Sequence, residues 1–277
     1  MALELVHADA ETMPSGMRVD GYSISLRGIR KQFVTHSGQT IPAIDHFDLE
    51  IAAGSFVVLV GPSGCGKSTL LNCVAGLDHP DGGEVLIDGR PIGAGVTPGI
   101  GYMFQQDTLL PWYTVERNVE LGLRYAGNTG ADSRAVVDHL LEIAELSGMR
   151  KVFPSELSGG MRRRVALCAA LAIRPRVLLM DEPFSALDTF TKASIQRYLL
   201  RLWEELHPTV LFVTHDLEEA VTVADKVVVM SRRPGRIKEI VDVALPRPRD
   251  VYAVKEAPEF IAGYQRAWHA LGGEFDR

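Results

Sequence analysis

The sequence predicts an α/β fold that is built on a parallel sheet. The first indication is a set of short, continuous apolar runs rich in β-branched residues, as expected of strands that are buried on both faces. These runs lie at residues 55–60, 176–181, 209–214 and 226–230. The second indication is helical periodicity between the runs, because buried strands that alternate with helices form parallel sheets.

Helical periodicity is clearest in three segments of the chain. Prolines lie just beyond the ends of two of them, at Pro175 and Pro208, where a helix cannot continue. The three segments span residues 133–147, 161–173 and 189–206. The section from about 107 to 163 interrupts the alternation of strands and helices, so we interpret it as an inserted helical subdomain.

The remaining segments flank this core. Residues 1–21 predict a flexible leader without the basic and apolar pattern of a secretion signal. After Met230 the composition indicates an extended connector and then a helix at 254–271. Alternating apolar positions and turn residues predict further strands from Ser23 onward, a turn at 36–40, and strand-rich stretches at 84–90 and 100–104.

Composition and charge exclude several classes of function. The 277 residues are 46% hydrophobic with a formal charge of −6, which offers no basic footprint for nucleic acid. We interpret the run from Arg162 to Arg164 as the solvated face of a helix. Three scattered cysteines favour a reduced compartment. The longest apolar stretch, 165–173, cannot span a bilayer, so we expect a cytosolic protein unless a partner holds it at a membrane.

A glycine-rich loop follows the run at 55–60 directly and precedes a helical segment. It matches the pattern GxxxxGK[ST], in which backbone N–H groups and a helix N-terminus surround phosphate oxygens. Lys67 is expected to reach the β- and γ-phosphates, and the hydroxyl of Ser68 to bind Mg²⁺. This phosphate loop and the residue after it are Gly61, Pro62, Ser63, Gly64, Cys65, Gly66, Lys67, Ser68 and Thr69. The loop alone leaves GTPases, kinases and motor ATPases as alternatives.

Polar residues end two other buried strands. Asp181 and Glu182 follow the run at 176–181, and ligands gather at this edge of parallel sheets. Adjacent residues point to opposite sides of a strand, so we expect different roles: Asp181 as a partner of Mg²⁺ through water, Glu182 as the group that orients or deprotonates the attacking water. His215 ends the run at 209–214; it is either a structural residue or a ligand of the γ-phosphate.

The segment Leu157-Ser158-Gly159-Gly160-Met161 narrows these alternatives. With the phosphate loop and the acidic strand end, it resembles the signature of ATP-binding cassette ATPases, which usually reads LSGGQ; Met161 replaces the glutamine. The resemblance covers about residues 23–235. The order and spacing of the family's other motifs agree as well: Phe104-Gln105 resembles the Q-loop, Ser185 to Asp188 the D-loop, His215 the switch histidine, and Phe33 the aromatic residue that stacks on adenine.

The resemblance implies a fold and a dimer. The fold is a RecA-like P-loop NTPase core with an antiparallel β subdomain and the helical subdomain at about 107–163. The cassette spans residues 22–235, and a C-terminal extension follows at 236–277. Two copies of the chain pack head to tail. Each copy's Ser158, Gly159, Gly160 and Asp188 then face the ATP that the other copy's phosphate loop holds.

The resemblance also implies the catalytic roles. Glu182 acts on the attacking water, His215 steadies the γ-phosphate, and Gln105 senses that phosphate. Ser68, Gln105 and Asp181 hold Mg²⁺.

A stand-alone cassette that serves a separate permease fits this chain best. A repair ATPase would insert a long coiled coil, a translation factor would carry two cassettes, and an exporter would carry membrane helices in the same chain. Residues 99–123 and 230–250 resemble the nitrate, sulfonate and taurine importers. That resemblance implies an integral membrane permease, a solute-binding protein and a peripheral position at the cytoplasmic face of the inner membrane. Pyrimidine-precursor importers stay open. The same resemblance implies that residues 109–112 supply the apolar part of a surface that receives a short helix of the permease, unless Trp112 packs inside the helical subdomain.

Overall fold

Two β-sheets pack against each other, and they differ in strand direction. The structure is a computed structural model, and it describes residues 18–35, 37–93, 97–106, 108–128, 130–185 and 187–272. Most of the predicted leader, His36 of the predicted turn, and Ala186 of the D-loop segment lie outside these ranges. The strands are β1 (Ile24–Val34), β2 (Thr40–Ile51), β3 (Phe56–Val60), β4 (Gly82–Ile87), β5 (Arg90–Pro91), β6 (Ile100–Met103), β7 (Val177–Asp181), β8 (Thr209–Thr214), β9 (Lys226–Met230) and β10 (Ile237–Asp242).

The larger sheet contains all four apolar runs predicted to be strands, and it confirms them. Its order is β10-β9-β3-β8-β7-β6, and every neighbouring pair from β9 to β6 is parallel. The carboxyl ends of β3, β7 and β8 therefore meet at one edge of the sheet. This edge brings the phosphate loop, the acidic pair and His215 together, although about 150 residues of chain separate the first from the last.

The smaller sheet is antiparallel, in the order β2-β1-β4-β5. Its inward side chains, such as Ile24, Phe47 and Val85, share one hydrophobic core with Leu59 and Leu211 of the larger sheet. Alternation of apolar and polar residues along β1 and β2 is expected of strands with one face in this core and the other in solvent. The packing of the two sheets presses β2 against the phosphate loop.

Most helices cover the other face of the larger sheet, whereas the helix after the phosphate loop packs between the two sheets and places Leu70 and Val74 in the first core. Val119, Leu140 and Val165 of the covering helices join Phe56 and Phe212 in a second core. Among the described residues, none of the helices combines the length and the apolar character that a membrane span needs. The helices are α1 (Lys67–Ala75), α2 (Val115–Tyr125), α3 (Ala131–Ile143), α4 (Gly159–Ala172), α5 (Thr189–Leu206), α6 (Leu217–Val223) and α7 (Pro258–Gly272), with short 3₁₀ turns at Ser147–Met149, Pro154–Glu156 and Val254–Glu256.

The C-terminal extension is less separate than the composition indicates. Where we expect an extended connector, β10 pairs antiparallel with β9 and adds an edge strand to the larger sheet. Val241 of β10 is fully buried. The predicted helix is present as α7, which buries Phe260 and Leu271 in the same core as the helical subdomain. The described residues from Ile237 to Gly272 therefore pack into the same core as the larger sheet.

The prediction of a solvated arginine face on α4 is wrong. All three side chains are half-buried and donate to other parts of the chain. Arg162 donates to the carbonyl of Leu157 at 2.7 Å. Arg164 donates to the hydroxyl of Ser194 at 3.0 Å and lies over an aromatic ring. Arg163 donates to the carbonyls of residues 104 and 105. A run of like charges is tolerated here because each guanidinium has its own acceptors.

Candidate functional site

The phosphate loop leaves β3 and enters α1 through a glycine that no other residue type can replace without strain. Gly66 precedes the helix with φ +99°, in the left-handed region. A Cβ at this position would lie 2.9 Å from the carbonyl oxygen of Ala43 in β2. The loop and the antiparallel sheet are therefore in direct contact, and this contact fixes the floor of the site.

Lys67 fills the centre of the loop. Only 5% of the residue is exposed, and its ammonium donates to the carbonyls of Gly61 at 2.8 Å and Pro62 at 3.1 Å. Cys65 lies beneath and is buried; burial raises the pKa of its thiol, and the positive charge of Lys67 opposes that shift. The loop thus combines a buried cation with the start of a helix, the arrangement that binds phosphate.

A cavity of about 190 Å³ opens above the loop. Phe33 lies on its wall with 46% of its surface exposed, and the ammonium of Lys31 is 5.7 Å from the centre of the ring. An exposed aromatic ring on a strand, next to a phosphate loop, is available for stacking against a base. The residues that line the cavity are Phe33, Ala43, Ser63, Gly64, Gly66, Lys67, Ser68, Thr69, Glu182 and Arg233.

Ser68 and Asp181 form the hydroxyl–carboxylate pair expected beside a magnesium ion. The Ser68 hydroxyl donates to Asp181 at 2.9 Å. Burial raises the pKa of Asp181 and the negative charge of Glu182 adds to the shift, whereas the bond from Ser68 and the charge of Lys67 oppose it.

The pair fits a magnesium ion that arrives with a nucleotide. Across the described ranges, no cluster of three or more His, Cys, Asp or Glu side chains is arranged for a metal ion. Mg²⁺ does not need one, because it usually binds one or two protein oxygens together with substrate phosphates. Ser68 and Asp181 provide such oxygens beside the phosphate loop.

Glu182 is the point at which three strand ends converge. Its carboxylate oxygen Oε2 accepts from Nδ1–H of His215 at 3.1 Å and from the side-chain amide of Gln105 at 3.4 Å. A carboxylate only accepts, so the proton of the histidine bond lies on Nδ1. The φ of Glu182 is +41°, an uncommon backbone conformation for this residue type, and its N–H donates to Val213 of β8. Gln105 therefore contacts Glu182 here and not the Ser68–Asp181 pair.

Arg163 connects the Gln105 segment to α4. Its guanidinium donates to the carbonyl of Phe104 at 3.0 Å and also to that of Gln105. The ring of Phe104 stacks on Tyr102 at 4.2 Å, which holds the same segment on β6. Sequence reasoning missed this connection because a run of arginines gives no information about its acceptors.

The histidine segment has a similar support that the sequence did not indicate. Lys192 of α5 pairs with Asp216 at 2.9 Å and with the buried Glu219 at 2.7 Å. The hydroxyl of Thr214 donates to Glu219 at 2.6 Å. These contacts fix the residues on both sides of His215, so the position of its ring is tied to the start of α5.

The signature residues form a second group with Asp188. The Ser158 hydroxyl caps α4 by accepting from the N–H of Met161 at 3.3 Å. Gly160 packs against the first turn of α5, where a Cβ would lie 2.4 Å from Cγ2 of Thr191. Asp188 caps α5, and its hydrogen bonds with Thr191 lower the pKa of the Asp188 carboxyl.

These four residues, Ser158, Gly159, Gly160 and Asp188, do not meet the phosphate loop of their own chain. Within the described part of the chain, no hydrogen bond or ion pair joins them to residues 61–69, and none of them lines the cavity above that loop. The link between the two groups is indirect. Ser185 donates to the backbone carbonyl of Glu182 at 3.0 Å and precedes the Asp188 segment.

A phosphate loop at the end of one strand, with a histidine at the end of the next strand in the sheet and an acidic pair at the end of the one after it, defines a P-loop nucleoside triphosphatase. The family model described as ABC transporter matches residues 44–185 of the chain. The chain belongs to the ATP-binding cassette family of transporter ATPases. It is therefore the ATP-binding and ATP-hydrolysing subunit of an ABC transporter.

Relatives and solved structures agree with this assignment. A putative ATP-binding protein of Brucella abortus is 48% identical over 83% of this chain and 87% of the relative. The nitrate import ATP-binding protein NrtD of Synechococcus elongatus is 44% identical over 84% of this chain and 85% of its own length. The aliphatic sulfonates import ATP-binding protein SsuB of Bacillus cereus is 41% identical over 82% of this chain and 88% of its own length.

A solved structure extends the comparison to the fold. The dimeric ATP-binding cassette MJ0796, in a post-hydrolysis state with ADP and phosphate, superposes with a TM-score of 0.70. It is 33% identical, and the match covers 80% of this chain and all of that one. The expected fold, a P-loop NTPase cassette with mixed α/β sheets, is confirmed.

Proposed function

We propose that this chain energises a membrane importer for a small anion such as nitrate, a sulfonate or taurine. The observation that carries the proposal is its similarity to NrtD and SsuB over more than four fifths of each chain. The solute itself would be selected by a permease and a solute-binding protein. This chain would be the peripheral subunit at the cytoplasmic face of the membrane, where ATP is available.

The working unit in this proposal is a head-to-tail dimer. Its support is the separation of the site into two groups: the phosphate loop of one copy and residues 158–160 of the other would grip one nucleotide. Ser158 and the glycines at the start of α4 offer a hydroxyl and open backbone N–H groups, which favour an anion. The dimeric cassette MJ0796 with ADP and phosphate shows that a related chain forms dimers.

The proposed reaction depends on positioning and on charge. Lys67 exchanges its loop carbonyls for phosphate oxygens, and Thr69 and the loop N–H groups hold the rest of the chain of phosphates. Water attacks the γ-phosphorus, the bond from that phosphorus to the bridging oxygen of ADP breaks, and the proton of the water passes to Glu182. His215 holds the Glu182 carboxylate and then the γ-phosphate, while Phe33 stacks on the adenine.

Mg²⁺ would be held by Ser68 and Asp181, with Gln105 joining on closure. When bound, it neutralises phosphate charge. Gln105 contacts Glu182 in the present structure. Exchanging that contact for the nucleotide's ion would move the segment of residues 104–106, which Arg163 ties to α4. In this way the binding of ATP would move α4 and the helical subdomain through Arg163.

The permease would contact the helical subdomain close to Gln105. Trp112 is 67% exposed and its neighbour Pro111 is exposed as well, so this indole does not pack inside the subdomain. Asn118 holds the segment in shape, because its side chain bonds both the N–H and the carbonyl of Leu110. An apolar surface that a well-bonded loop presents beside the nucleotide site is suited to a permease helix.

Transport by the reconstituted complex tests this function. The chain would be assembled in proteoliposomes with a permease and a solute-binding protein of the same organism, and ATP-driven uptake measured for nitrate, taurine, an alkanesulfonate and a pyrimidine precursor. We expect one of the anions to stimulate ATP hydrolysis and to accumulate, and Lys67→Ala to abolish both. Stimulation by the pyrimidine precursor alone would contradict the choice of solute. Failure of the chain to assemble with any permease would contradict the transport role.

A further inference from the structure

The turn between β9 and β10 lies against the phosphate loop and places an arginine beside it. Gly235 of this turn touches the loop so closely that a Cβ would lie 2.1 Å from the carbonyl oxygen of Cys65. The N–H of Gly235 donates to Ala43 at 2.8 Å, and Arg236 pairs with Asp45, which holds the turn on β2. The backbone around residue 233 is therefore fixed relative to the nucleotide cavity.

The guanidinium of Arg233 reaches the cavity from this turn. Its Nε donates to the carbonyl of Gly64 at 3.1 Å, inside the phosphate loop. One terminal nitrogen lies 3.5 Å from the position that a Cβ of Gly64 would take. Arg233 lines the cavity together with Lys67 and Thr69. The anchoring bond uses one of five N–H donors, so four stay available to a ligand.

The charge of Arg233 is not balanced by the described residues. Arg236, three residues later, pairs with Asp45, and no carboxylate in the described ranges lies within ion-pair distance of Arg233. An exposed cation that is anchored through Nε and faces a phosphate-binding cavity matches the planar, forked geometry that binds phosphate oxygens.

We infer that Arg233 binds the phosphates of the nucleotide directly, as a second cation beside Lys67. The two cations come from different parts of the chain. Lys67 belongs to the phosphate loop, whereas Arg233 belongs to the turn after β9 and approaches from the side of Gly64. The contact adds affinity for any adenine nucleotide with a phosphate chain and none for the nucleoside.

Three substitutions separate this role from mere support of the loop. Arg233→Ala removes the charge and the bond to Gly64. Arg233→Gln keeps an N–H donor for Gly64 without the charge, and Arg233→Lys keeps a charge. Arg232→Ala is the matched control, because it removes the same charge one residue earlier, from a side chain that does not line the cavity.

Calorimetric titration of the full chain with ADP, ATP and adenosine measures the effect. We expect Arg233→Ala and Arg233→Gln to weaken ADP and ATP about tenfold, as the loss of one charge-assisted hydrogen bond does. Arg233→Lys is expected to recover part of the affinity, the control to bind as the wild type does, and the effect to shrink in high salt. Adenosine binding is expected to stay unchanged.

Three results would overturn the inference. Normal ADP affinity in Arg233→Gln would show that the arginine only supports Gly64. An equal loss for adenosine would show a deformed cavity. Normal ADP binding combined with loss of ATP-dependent dimerisation would place the guanidinium against a second copy of the chain. None of these results bears on which solute the transporter carries, so the inference and the proposed function fail separately.

Discussion

The phosphate-loop group and the signature group are built from similar parts but are completed differently. Both place glycines and a hydroxyl at the start of a helix. The first group also contains a buried lysine and an acidic pair, and a cavity opens above it. The signature group has its capping bonds and its packing on α5, and within the described part of the chain no hydrogen bond or ion pair joins it to the phosphate loop. The first group is assembled at one sheet edge, whereas in the proposed head-to-tail dimer the second meets a nucleotide only on the other copy.

Mixing two inactive variants tests this difference most strongly. Lys67→Ala disables the first group and Ser158→Arg the second, so each variant alone is expected to lose ATP hydrolysis. In a head-to-tail mixed dimer, one site carries both defects and the other carries neither. Random pairing makes half of the dimers mixed, so an equal mixture is expected to recover up to about a quarter of the wild-type rate.

The control for the mixture is a chain with both substitutions. Mixed with Lys67→Ala, it leaves no intact site and is expected to give no recovery. Absence of recovery in the test mixture, while fluorescence energy transfer shows mixed dimers, would mean that each nucleotide is bound within one chain.

Glu182→Gln tests the proposed catalytic role of Glu182 in the phosphate-loop group. The amide cannot take a proton from water, so turnover is expected to fall about 10²- to 10³-fold, in the range of a lost general base. Binding of ATP is expected to persist, because the variant keeps Lys67 and the Ser68–Asp181 pair, and the dimer is then trapped with ATP. Steady-state hydrolysis and size-exclusion chromatography with ATP measure both. Glu142→Gln, an exposed carboxylate on α3, is the control. Normal turnover of Glu182→Gln would remove Glu182 from its assigned role.

Gly160→Ala tests the close packing of the signature group, at Gly160, against Thr191 of α5. The new methyl group would meet Cγ2 of Thr191, and such overpacking costs about 1–3 kcal/mol. Gly159→Ala is the matched control, because the nearest atom to its Cβ would be a flexible arginine nitrogen at 4.0 Å. Denaturant unfolding measures both. Adding Thr191→Ser to Gly160→Ala removes Cγ2 and is expected to restore stability; no restoration would refute the contact.

The sequence predicts the parts of this molecule whose character is local. The strands of the larger sheet are recognisable because burial on both faces leaves continuous apolar runs, and α5 has the predicted bounds because Asp188 caps its start. The sequence also predicts the phosphate loop, the acidic pair and His215 as site residues, because each comes directly after a buried strand. β10 was not predicted, because Lys238 and Glu239 interrupt its apolar pattern at an exposed edge.

The contacts of Arg163 and Arg233 were not predictable from their own segments. Arg163 meets Gln105 across 58 residues of chain, and Arg233 meets Gly64 across 169. A guanidinium has the same neighbours in sequence whether it faces solvent or a carbonyl. Only the fold determines whether the guanidinium faces solvent or a carbonyl. A charge pattern alone favours solvent, and for these two arginines that interpretation misses the contacts.

The ionisation of two aspartates gives the smallest effect, and its sign differs between the groups. In the first group, burial raises the pKa of Asp181 above its ordinary value of 3.8. The unfolded chain therefore loses this proton at lower pH than the folded chain does. As the pH rises through the interval between the two pKa values, the folded state loses stability, and the loss is complete once the pH exceeds both of them. Asp181→Asn cannot ionise and keeps an acceptor for Ser68.

We therefore expect Asp181→Asn to raise the Tm at pH 7 without nucleotide or metal, and the gain to vanish below the ordinary pKa. In the second group, hydrogen bonds with Thr191 lower the pKa of Asp188, so its charge stabilises the folded state above that pKa. Asp188→Asn still caps α5 but loses the charge, so its Tm at pH 7 is expected to fall slightly. Calorimetric scans from pH 3 to pH 8 measure both. If the Tm at pH 7 changes in the same direction in both variants, the Asp181 carboxylate is no less favourable to the folded state than the Asp188 carboxylate. The distinction between a carboxylate that burial disfavours beside the phosphate loop and one that its capping bonds stabilise would then fail.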